Sequence, residues 1–488
     1  MLSLLVFLPL LGAALIALLP REREGWARWL ALLTSLAALG IAVALFVAYD
    51  RSGEQFQFVD QRTWISSEVA PFTVQYLLGV DGLSLPLVAL TALLTTVAVL
   101  VSWNIGLRPR EYFAWLLVLE TSLLGVFASL DLVLFFLFFE LELLPMYFLI
   151  SIWGTGRRIY SAWKYVLFTF FGSAFMLVAI LVIGFAAETF DMRQLQEMGP
   201  LRDAVLPATV VFAFLMIAFG VKLPVVPLHT WLPDAHTDAP TAVSVMLAGV
   251  LLKMAGYGIL RLCFSILPDV ARDASAWLAA LAALSILYGA VATLMQSDLK
   301  RLIAYSSVSH MGYVLLGASA LGTVGLTGAA MQMLTHGLIT GLLFVMVGLV
   351  YERTHTRQIG EMQGLARAMP YLTTVMVIAG LASLGLPSLA GFVSEVTVFL
   401  GTFPRHQFLT VLGVTGVLLA AGYILWMVQR VFWGELTPRW QGLQEAVAWW
   451  ERVPTLALVA VILLVGIYPR VVMDLVESGV LPIAERLG

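Results

Sequence analysis

The sequence predicts an all-α polytopic membrane protein of about fourteen transmembrane helices, built around two inverted five-helix repeats that each contain a proline-broken helix. Three observations support this fold class. The 488-residue chain is 61% hydrophobic and only 12% charged, whereas soluble proteins carry about 25% charged residues. Its apolar residues form runs long enough to span a bilayer, and Leu-Pro breaks interrupt two of these runs at corresponding places.

Fourteen stretches of the chain are apolar and long enough for a bilayer, which needs about 20 residues per spanning helix. The stretches lie at 1–19, 28–49, 81–103, 111–129, 131–152, 161–187, 206–228, 240–267, 276–295, 301–320, 324–350, 371–400, 408–434 and 453–472. The first lacks a charged n-region and a small-residue cleavage site, so we expect a spanning helix rather than a signal peptide. No strand pattern accompanies these runs, and we expect no strands.

A single cysteine, Cys263, restricts the chemistry of the chain. One thiol cannot make an internal disulfide, a four-thiolate iron–sulfur site or a structural zinc site. We therefore expect no cofactor in this chain, and any electron transfer linked to its function takes place in other proteins.

The Lys and Arg residues of the loops predict the orientation, because such residues concentrate on the inner side of a membrane. Alternate loops, starting after the first span, hold fifteen of them, and the opposite set holds eight, Arg202 among these. We call the side with fifteen the arginine-rich side. The bias predicts that both termini lie on the outer side, together with the longer and more acidic loops at 50–80 and 188–205.

Ionisable residues lie deep inside several predicted spans, where each charge costs at least about 2.5–3.5 kcal/mol. The four deepest are Glu140, Lys222, Lys253 and Glu395. Other polar residues within spans are Glu120, Glu142, His310 and His336. Structural ion pairs could explain any one of them. Four groups able to exchange protons are better explained by a pathway across the helix bundle.

Lysine is used selectively in this chain. Only four of its 27 basic residues are lysines, and three of the four lie inside predicted spans, at Lys164, Lys222 and Lys253. A desolvated lysine can release its proton, whereas arginine keeps its own. Of the two carboxylates that precede Pro145, we expect Glu140 to act. Glu142 lies about 200° further round the helix and faces another direction.

Two similar segments contain the helix breaks. KLPVVPLHTWLPD (222–234) and GLPSLAGFVSEVT (385–397) place Leu-Pro at corresponding points 163 residues apart. Proline removes the hydrogen bond to the carbonyl four residues back, which is Gly220 for Pro224. In lipid such a break needs protein or water around it. We expect the freed carbonyl and local water to solvate the ammonium group of Lys222.

Five predicted spans surround each break, in 111–267 and in 276–434. An odd number of spans turns the second unit upside down relative to the first, and inverted repeats with paired broken helices are typical of transporters. Three helices in 1–110 precede the repeats and one helix in 435–488 follows them. This arrangement predicts two half-channels that meet near the breaks.

His229, Asp234 and His236 follow the first break. Two histidines and one carboxylate are a ligand set of catalytic zinc. The three residues are not at helical i, i+4 spacing, however, and WLPDAHTDAPTA is typical of a polar turn. We expect a proton-collecting or loop-ordering role rather than a metal site.

Two long motifs carry a resemblance to a known family. PLHTWLPDAHTDAPTAVSVMLAGVLLKMAGYGILR (227–261) resembles the signature of proton-translocating antiporter-like subunits, which occur in respiratory complex I, Mrp-type Na⁺/H⁺ antiporters and membrane-bound hydrogenases. QSDLKRLIAYSSVSHMGYVLLG (296–317) is similar to the second half of the same family. The similarity covers nearly the whole chain.

Further features resemble the NuoM type within this family. YLLGVDGLSLPLVALTALL (76–94) is similar to its third helix, and FELELLPMYFLI (139–150) to its fifth. Glu395 stands where the NuoL type, the NuoN type and many Mrp subunits have lysine. The chain also ends about sixteen residues after its last predicted span, without the long lateral helix of the NuoL type.

The resemblance implies a proton pathway along the central axis. Its residues would be Glu140, Lys222, Lys253, His310, His336 and Glu395. Glu140 would pair with Lys222 in the first half-channel, Lys253 would bridge the halves, and the histidines would lead to Glu395 in the second. Glu142 departs from the family, in which we expect an apolar residue at this position.

The resemblance also implies the setting of the chain. It would be a non-redox subunit of a proton-translocating NADH:quinone oxidoreductase in the bacterial inner (cell) membrane. Its partners would be NuoL-like and NuoN-like subunits, lipid and protons, with no nucleic acid. NADH, FMN, iron–sulfur clusters and quinone would be bound by other subunits.

Three alternatives are distinguishable. An Mrp-type Na⁺/H⁺ antiporter subunit would show sodium-dependent proton movement, but Glu395 in place of lysine argues against it. A subunit of a membrane-bound hydrogenase would be encoded beside different partners. A scaffold that does not pump would function without Lys222 and Lys253, although a scaffold would pack better without buried lysines.

Overall fold

The computed structural model describes residues 1–66, 73–198 and 204–488, in which the chain is mostly α-helical and includes one β-hairpin. Arg202 and parts of the predicted outer loops at 50–80 and 188–205 lie outside the described residues.

Twenty α-helices follow one another in the described ranges. They are α1 (Leu2–Ala17), α2 (Ala27–Ala48), α3 (Leu85–Val101), α4 (Pro109–Ala128), α5 (Leu132–Leu141), α6 (Leu143–Trp153), α7 (Arg158–Ala187), α8 (Met192–Glu197), α9 (Ala208–Lys222), α10 (Trp231–Asp238), α11 (Thr241–Met246), α12 (Leu252–Gly258), α13 (Pro268–Leu294), α14 (Leu299–Ser319), α15 (Thr323–Thr354), α16 (Pro370–Ser383), α17 (Ala390–Thr402), α18 (Gln407–Phe432), α19 (Trp449–Ile467) and α20 (Arg470–Leu487). Short 3₁₀ turns lie at Arg21–Trp26, Ile359–Glu361, Leu365–Arg367 and Pro438–Trp440.

Within the described residues, nine helices are long and apolar enough to cross a membrane, and five further apolar helices have 10–17 residues. The predicted helical fold with many candidate spans agrees with this architecture. The count of fourteen crossings stays a prediction, since five of the predicted spans correspond to helices that are short, interrupted or less apolar.

A β-hairpin follows α2, and the expectation of no strands is wrong here. β1 (Gln57–Ser66) pairs antiparallel with β2 (Thr73–Val80), with Arg62 opposite Tyr76. Both strands are rich in β-branched and aromatic residues, which favour pleated structure. A search for spans of about 20 residues averages over such short segments and so misses them.

Two helices are interrupted at the predicted places. α9 ends at Lys222 and the chain resumes in α10, while α16 ends at Ser383 and resumes in α17. The expectation of a free Gly220 carbonyl is wrong, because this oxygen accepts a hydrogen bond from Val225 N at 2.9 Å. The indole of Trp231 satisfies the next carbonyl, donating from Nε1 at 2.8 Å.

Two aspartates make the same local structure at two places in the chain, one in 111–267 and one in 276–434. Asp131 caps α5 by accepting two backbone N–H groups at 2.9 and 3.1 Å, and its backbone forms a β-bridge with Asp191. Asp298 caps α14 with bonds of 2.8 and 3.1 Å, and its backbone bridges Gln358. We call these two arrangements the capping bridges.

The centre of the bundle is formed by α15 and by the segment Thr241–Phe264, the most apolar windows of which are wholly buried. Two π-helical turns, Leu247–Leu251 and Ile259–Phe264, interrupt that segment on either side of α12. Peripheral helices such as α2 and α7 instead expose large apolar side chains, as lipid-facing helices do. The buried centre holds the candidate site.

Candidate functional site

A first buried cluster surrounds Lys222, the last residue of α9. Its ammonium group forms an ion pair with Glu142 and donates a hydrogen bond to the Tyr165 hydroxyl at 2.9 Å. Tyr165 in turn donates to the second oxygen of Glu142. Side-chain exposure is 1% for Lys222 and 0% for Glu142, so the three groups satisfy one another without bulk water.

The partner of Lys222 is therefore Glu142, and the prediction that Glu140 makes this pair is wrong. α5 ends at Leu141, and Glu142 occupies the junction with α6, where its side chain turns to the bundle centre. Glu140 points elsewhere, as the 200° separation predicts. It is only partly buried, and Ser173 is its hydrogen-bonding neighbour.

Aromatic rings complete the surroundings of Lys222. Its nitrogen lies 5.4 Å from the centre of the Phe139 ring and 5.0 Å from that of Tyr165. The faces of such rings attract cations in a desolvated environment. Tyr165 was missed in the sequence because a tyrosine in a hydrophobic span gives no periodic signal that separates a hydrogen-bonding role from packing.

A second buried cluster begins at Lys253 on α12, which is 0% exposed. Its nitrogen donates to the Ala248 carbonyl in the first π-helical turn and lies 2.7 Å from Nδ1 of His336 on α15. π-Helical turns inside α-helices are frequent at functional sites. The structure thus brings Lys253 and His336, which are 83 residues apart in sequence, into direct contact.

The second cluster continues from His336 to Glu395 on α17. The ring centres of His336 and His310 are 5.7 Å apart, and His310 Nδ1 lies 3.4 Å from Oε1 of Glu395. The two histidines and Glu395 border a cavity of about 10 Å³, which is near the lower limit for one ordered water. Four predicted residues therefore form one continuous row. In this row His336 follows Lys253 and His310 comes next, which is the reverse of their order in the sequence.

Hydroxyl groups hold His310 in its place within this row. Ser383, at the end of α16, and Tyr423, on α18, each lie 3.4 Å from Nε2 of His310. Both are buried. Because they come from different helices of the second unit, they fix the His310 ring between α16 and α18. Neither was predicted as a site residue.

The residues after the first break do not converge on a common point. Asp234 forms an ion pair with Lys164 at 2.6 Å, His229 packs edge-on against Tyr288 at 4.9 Å, and His236 stacks on a phenylalanine. Nowhere in the described ranges do three His, Cys, Asp or Glu side chains form a group that could hold a metal ion. The third lysine of the predicted spans, Lys164, is thus accounted for by a partly buried ion pair.

The side chains of this arrangement are of types that can exchange protons with one another. Histidine, lysine, glutamate and tyrosine side chains all exchange protons, and a low-dielectric interior strengthens the coupling between neighbouring groups. Their direct contacts form two groups, Glu142–Lys222–Tyr165 and Lys253–His336–His310–Glu395.

An interrupted pair of helices around a buried row of lysine, histidine and glutamate defines an antiporter-like membrane protein. The chain belongs to the NADH:quinone oxidoreductase/Mrp antiporter transmembrane family, with residues 129–420 matching the family's sequence profile. The predicted resemblance is confirmed.

Individual relatives match over the full length. The chain is 40% identical to NADH-quinone oxidoreductase subunit M of Rhodobacter capsulatus, covering 100% of this chain and 96% of that protein. It is 41% identical to an NAD(P)H-quinone oxidoreductase chain 4 of Synechococcus sp. (strain JA-3-3Ab), covering 100% and 93%. In the structure of respiratory complex I from Thermus thermophilus with bound NADH, one chain superimposes with a TM-score of 0.89 at 32% identity, and all of both chains is covered.

Proposed function

We propose that this chain is a proton-translocating, non-redox membrane subunit of an NADH:quinone oxidoreductase, in the position that subunit M holds in its relatives. Family membership and full-length relatives named for such enzymes support the proposal. The observation that carries it is the buried row from Lys253 to Glu395. A protein that only held the complex together would gain nothing from desolvating four titratable groups in line.

The contacts of the second cluster support proton movement along it. The Lys253 ammonium can give a proton to His336 across 2.7 Å. Water in the small cavity can carry it from His336 to His310, which contacts Glu395. Each transfer needs only a hydrogen-bond distance or one bridging water.

The first cluster provides the step that other subunits could drive. While Glu142 compensates the charge of Lys222, the lysine keeps its proton; if the pair is loosened, the proton is released toward Lys253. Moving one charge against 100 mV costs about 2.3 kcal/mol. A pKa change of about two units is worth about 2.7 kcal/mol, so rearranging one buried pair is a step of the right size. Glu140 is a second carboxylate near Lys222, and it could form an ion pair with the lysine once the pair with Glu142 is loosened.

The capping bridges support the inverted repeat. Asp131 and Asp298 each begin the second predicted span of their unit, and each bridges to the chain after the third span. In the proposed topology of fourteen crossings, Asp131 lies on the outer side and Asp298 on the arginine-rich side. The same local structure at opposite faces is what an inverted repeat produces.

The rest of the proposal depends on the same topology of fourteen crossings. Units 111–267 and 276–434 form the two half-channels, between the N-terminal helices of 1–110 and the C-terminal part, 435–488. Both termini lie on the outer side of a bacterial inner membrane. NuoL-like and NuoN-like subunits are the neighbours, and the cofactors of electron transfer belong to other chains.

An Mrp-type antiporter subunit is the second candidate, because the family includes such proteins. The relatives that match at 40–41% identity are named for quinone oxidoreductases, which favours the first candidate. The two candidate functions differ in their dependence on sodium. Proton uptake by an oxidoreductase needs NADH and persists without sodium.

The test is Lys253→Met in the complete complex in native membranes. We expect quinone-dependent NADH oxidation and proton uptake to fall together, by at least about tenfold, with the amount of assembled complex unchanged. Arg21→Met, at an exposed basic residue, is the control and keeps both activities. Normal pumping in Lys253→Met would refute the pathway, and proton uptake that requires sodium instead of NADH would favour the antiporter.

A further inference from the structure

His236 on α10 is buried in an unusual way. The side chain is 0% exposed, and, as far as the described residues reach, neither Nδ1 nor Nε2 has a hydrogen-bond partner. Buried polar atoms are nearly always hydrogen-bonded, and an exception needs a reason such as a catalytic role or a site for water. The pathway described above does not use this residue.

The ring of His236 is held flat and in place. It stacks on Phe344 of α15 with the ring centres 4.5 Å apart and the planes 5° from parallel. The carbonyl of the same residue accepts a hydrogen bond from the Ser244 hydroxyl at 3.2 Å. Stacking fixes the orientation of the ring and leaves both nitrogen edges available.

Two ammonium groups lie near enough to His236 for their charges to act on its ring. The charged side chains whose fields act on the ring are Lys300, on α14, and Lys253, on α12. Lys300 is 4% exposed and donates to the Ala239 carbonyl, three residues after His236. Lys253 is the first residue of the buried row. His236 is therefore close both to that row and to a lysine of the arginine-rich side.

A cavity leads toward Lys300 from that side. It has a volume of about 70 Å³, and its lining includes Lys300, Arg357 and Tyr351. This is room for several waters. Arg357 donates to the Thr237 carbonyl at 2.5 Å, so the same two basic residues that border the cavity also fasten the backbone next to His236.

We propose that His236 is a proton-relay residue that joins this cavity to Lys253, and that protons from the arginine-rich side reach the row through Lys300 and His236. The inference rests on the proposed function and extends it by an uptake route. One proton arrives at the unprotonated ring nitrogen and another leaves from the protonated one, so the ring is neutral before and after, in its other tautomer. Burial, and after it the charges of the two lysines, disfavour a lasting positive charge on the ring, so the ring passes protons without storing them.

The surroundings of Lys300 suit it to proton uptake. Burial is the main reason that the pKa of Lys300 is lowered to about 7, and the positive charge of Arg357 adds to this effect. The carboxylates of Asp298 and Asp238 act in the opposite direction. A lysine with this pKa can both take up and release a proton near neutral pH, so Lys300 can collect protons from the cavity and pass them on. The next protonatable group toward the row is His236.

The experiment compares His236→Phe and His236→Gln in the complete complex. Phenylalanine keeps the stacking on Phe344 and glutamine keeps polarity, but neither can relay a proton. We expect each to lower NADH-driven proton uptake and NADH oxidation by at least about tenfold while the complex assembles in normal amount. His355→Asn is the matched control: His355 is exposed and has a φ of 52°, which asparagine tolerates, and its replacement leaves both rates unchanged.

A purely structural histidine gives a different pattern. His236→Phe would then assemble and pump like the wild type, because shape and stacking are kept, and the inference would be overturned. If one of the two His236 variants assembles poorly, the other variant still tests the inference. Lys253→Met separates the two proposals: if it inactivates the complex and the His236 variants do not, only the uptake route fails, and if Lys253→Met is also active, the proposed function fails.

Discussion

At the scale of single residues, the carboxylates of FELELL have different surroundings. Glu142 is fully buried and compensates Lys222, whereas Glu140 is partly buried beside Ser173. Removing one partner of a buried ion pair is strongly destabilising, by about 3–5 kcal/mol, because it leaves the other charge uncompensated. The loss of Glu142 should therefore affect Lys222 more than the loss of Glu140.

We predict that Glu142→Gln lowers NADH oxidation and proton uptake at least about tenfold, and more than Glu140→Gln does. Glutamine keeps the shape of the side chain but cannot balance the ammonium group. The measurement is NADH-driven proton uptake in membrane vesicles, normalised to assembled complex. Glu485→Gln, at an exposed position on α20, is the control. Full activity of Glu142→Gln together with loss in Glu140→Gln would mean that Glu140 holds Lys222 in the working complex.

The lysines and histidines of the site were predictable from the sequence, but the carboxylate predicted for the ion pair is the wrong one. A charge inside a span is conspicuous whatever its direction, so Lys222 and Lys253 were identifiable. The direction of Glu140 and Glu142 was not, because apolar residues surround both on every side of the helix. Without a polar face, no periodicity tells which side is inward.

At the scale of elements, a second buried ion pair fastens the β-hairpin to the bundle. Arg261 in the second π-helical turn pairs with Asp81, which follows β2, and both are 0% exposed. Oδ1 of Asp81 also accepts backbone N–H groups from Leu83 and Ser84 at 3.1 and 2.9 Å. The pair thus links the start of α3 to the end of the Thr241–Phe264 segment.

We predict that Arg261→Met reduces the amount of assembled complex, since it leaves Asp81 charged and buried at a cost of about 3–5 kcal/mol. Adding Asp81→Asn restores much of it, because asparagine is neutral and its Oδ1 can still accept the two backbone hydrogen bonds. Quantitation on native gels after mild heating provides the readout.

Arg272→Met provides the comparison for this experiment. Arg272 pairs with Asp269 at 2.5 Å, but both side chains are well exposed, and such surface pairs are worth about 0–1 kcal/mol. An Arg261→Met complex as heat-stable as Arg272→Met would show that the buried pair contributes no stability.

At the scale of the whole molecule, the topology gives a prediction for the C-terminus. If both termini lie outside, alkaline phosphatase fused after Gly488 is active, because its disulfides form only in an oxidising compartment. The same enzyme inserted after Gly442, in the loop between α18 and α19, stays inactive, since that loop lies on the arginine-rich side. The reverse pattern of activities would invert the proposed orientation.

Much of the overall architecture was predictable because bilayer-spanning runs and proline breaks are long-range features of the sequence. The interruptions after Lys222 and Ser383 lie where Leu-Pro predicts them. The hairpin and the π-helical turns were not predicted. Both depend on local hydrogen-bond registers that a count of apolar residues does not encode, and the partners of Lys253 come from distant helices.

The first π-helical turn determines the direction in which Lys253 points. Twelve residues separate Thr241 from Lys253, which in a regular α-helix places them about 120° apart. A π turn takes up one extra residue, so the effective separation is eleven positions, or about 20°. Thr241 lies beside Gly348 of α15 and Lys253 contacts His336 of the same helix, so both residues face α15. A single surplus residue in the helical winding therefore turns the lysine toward His336.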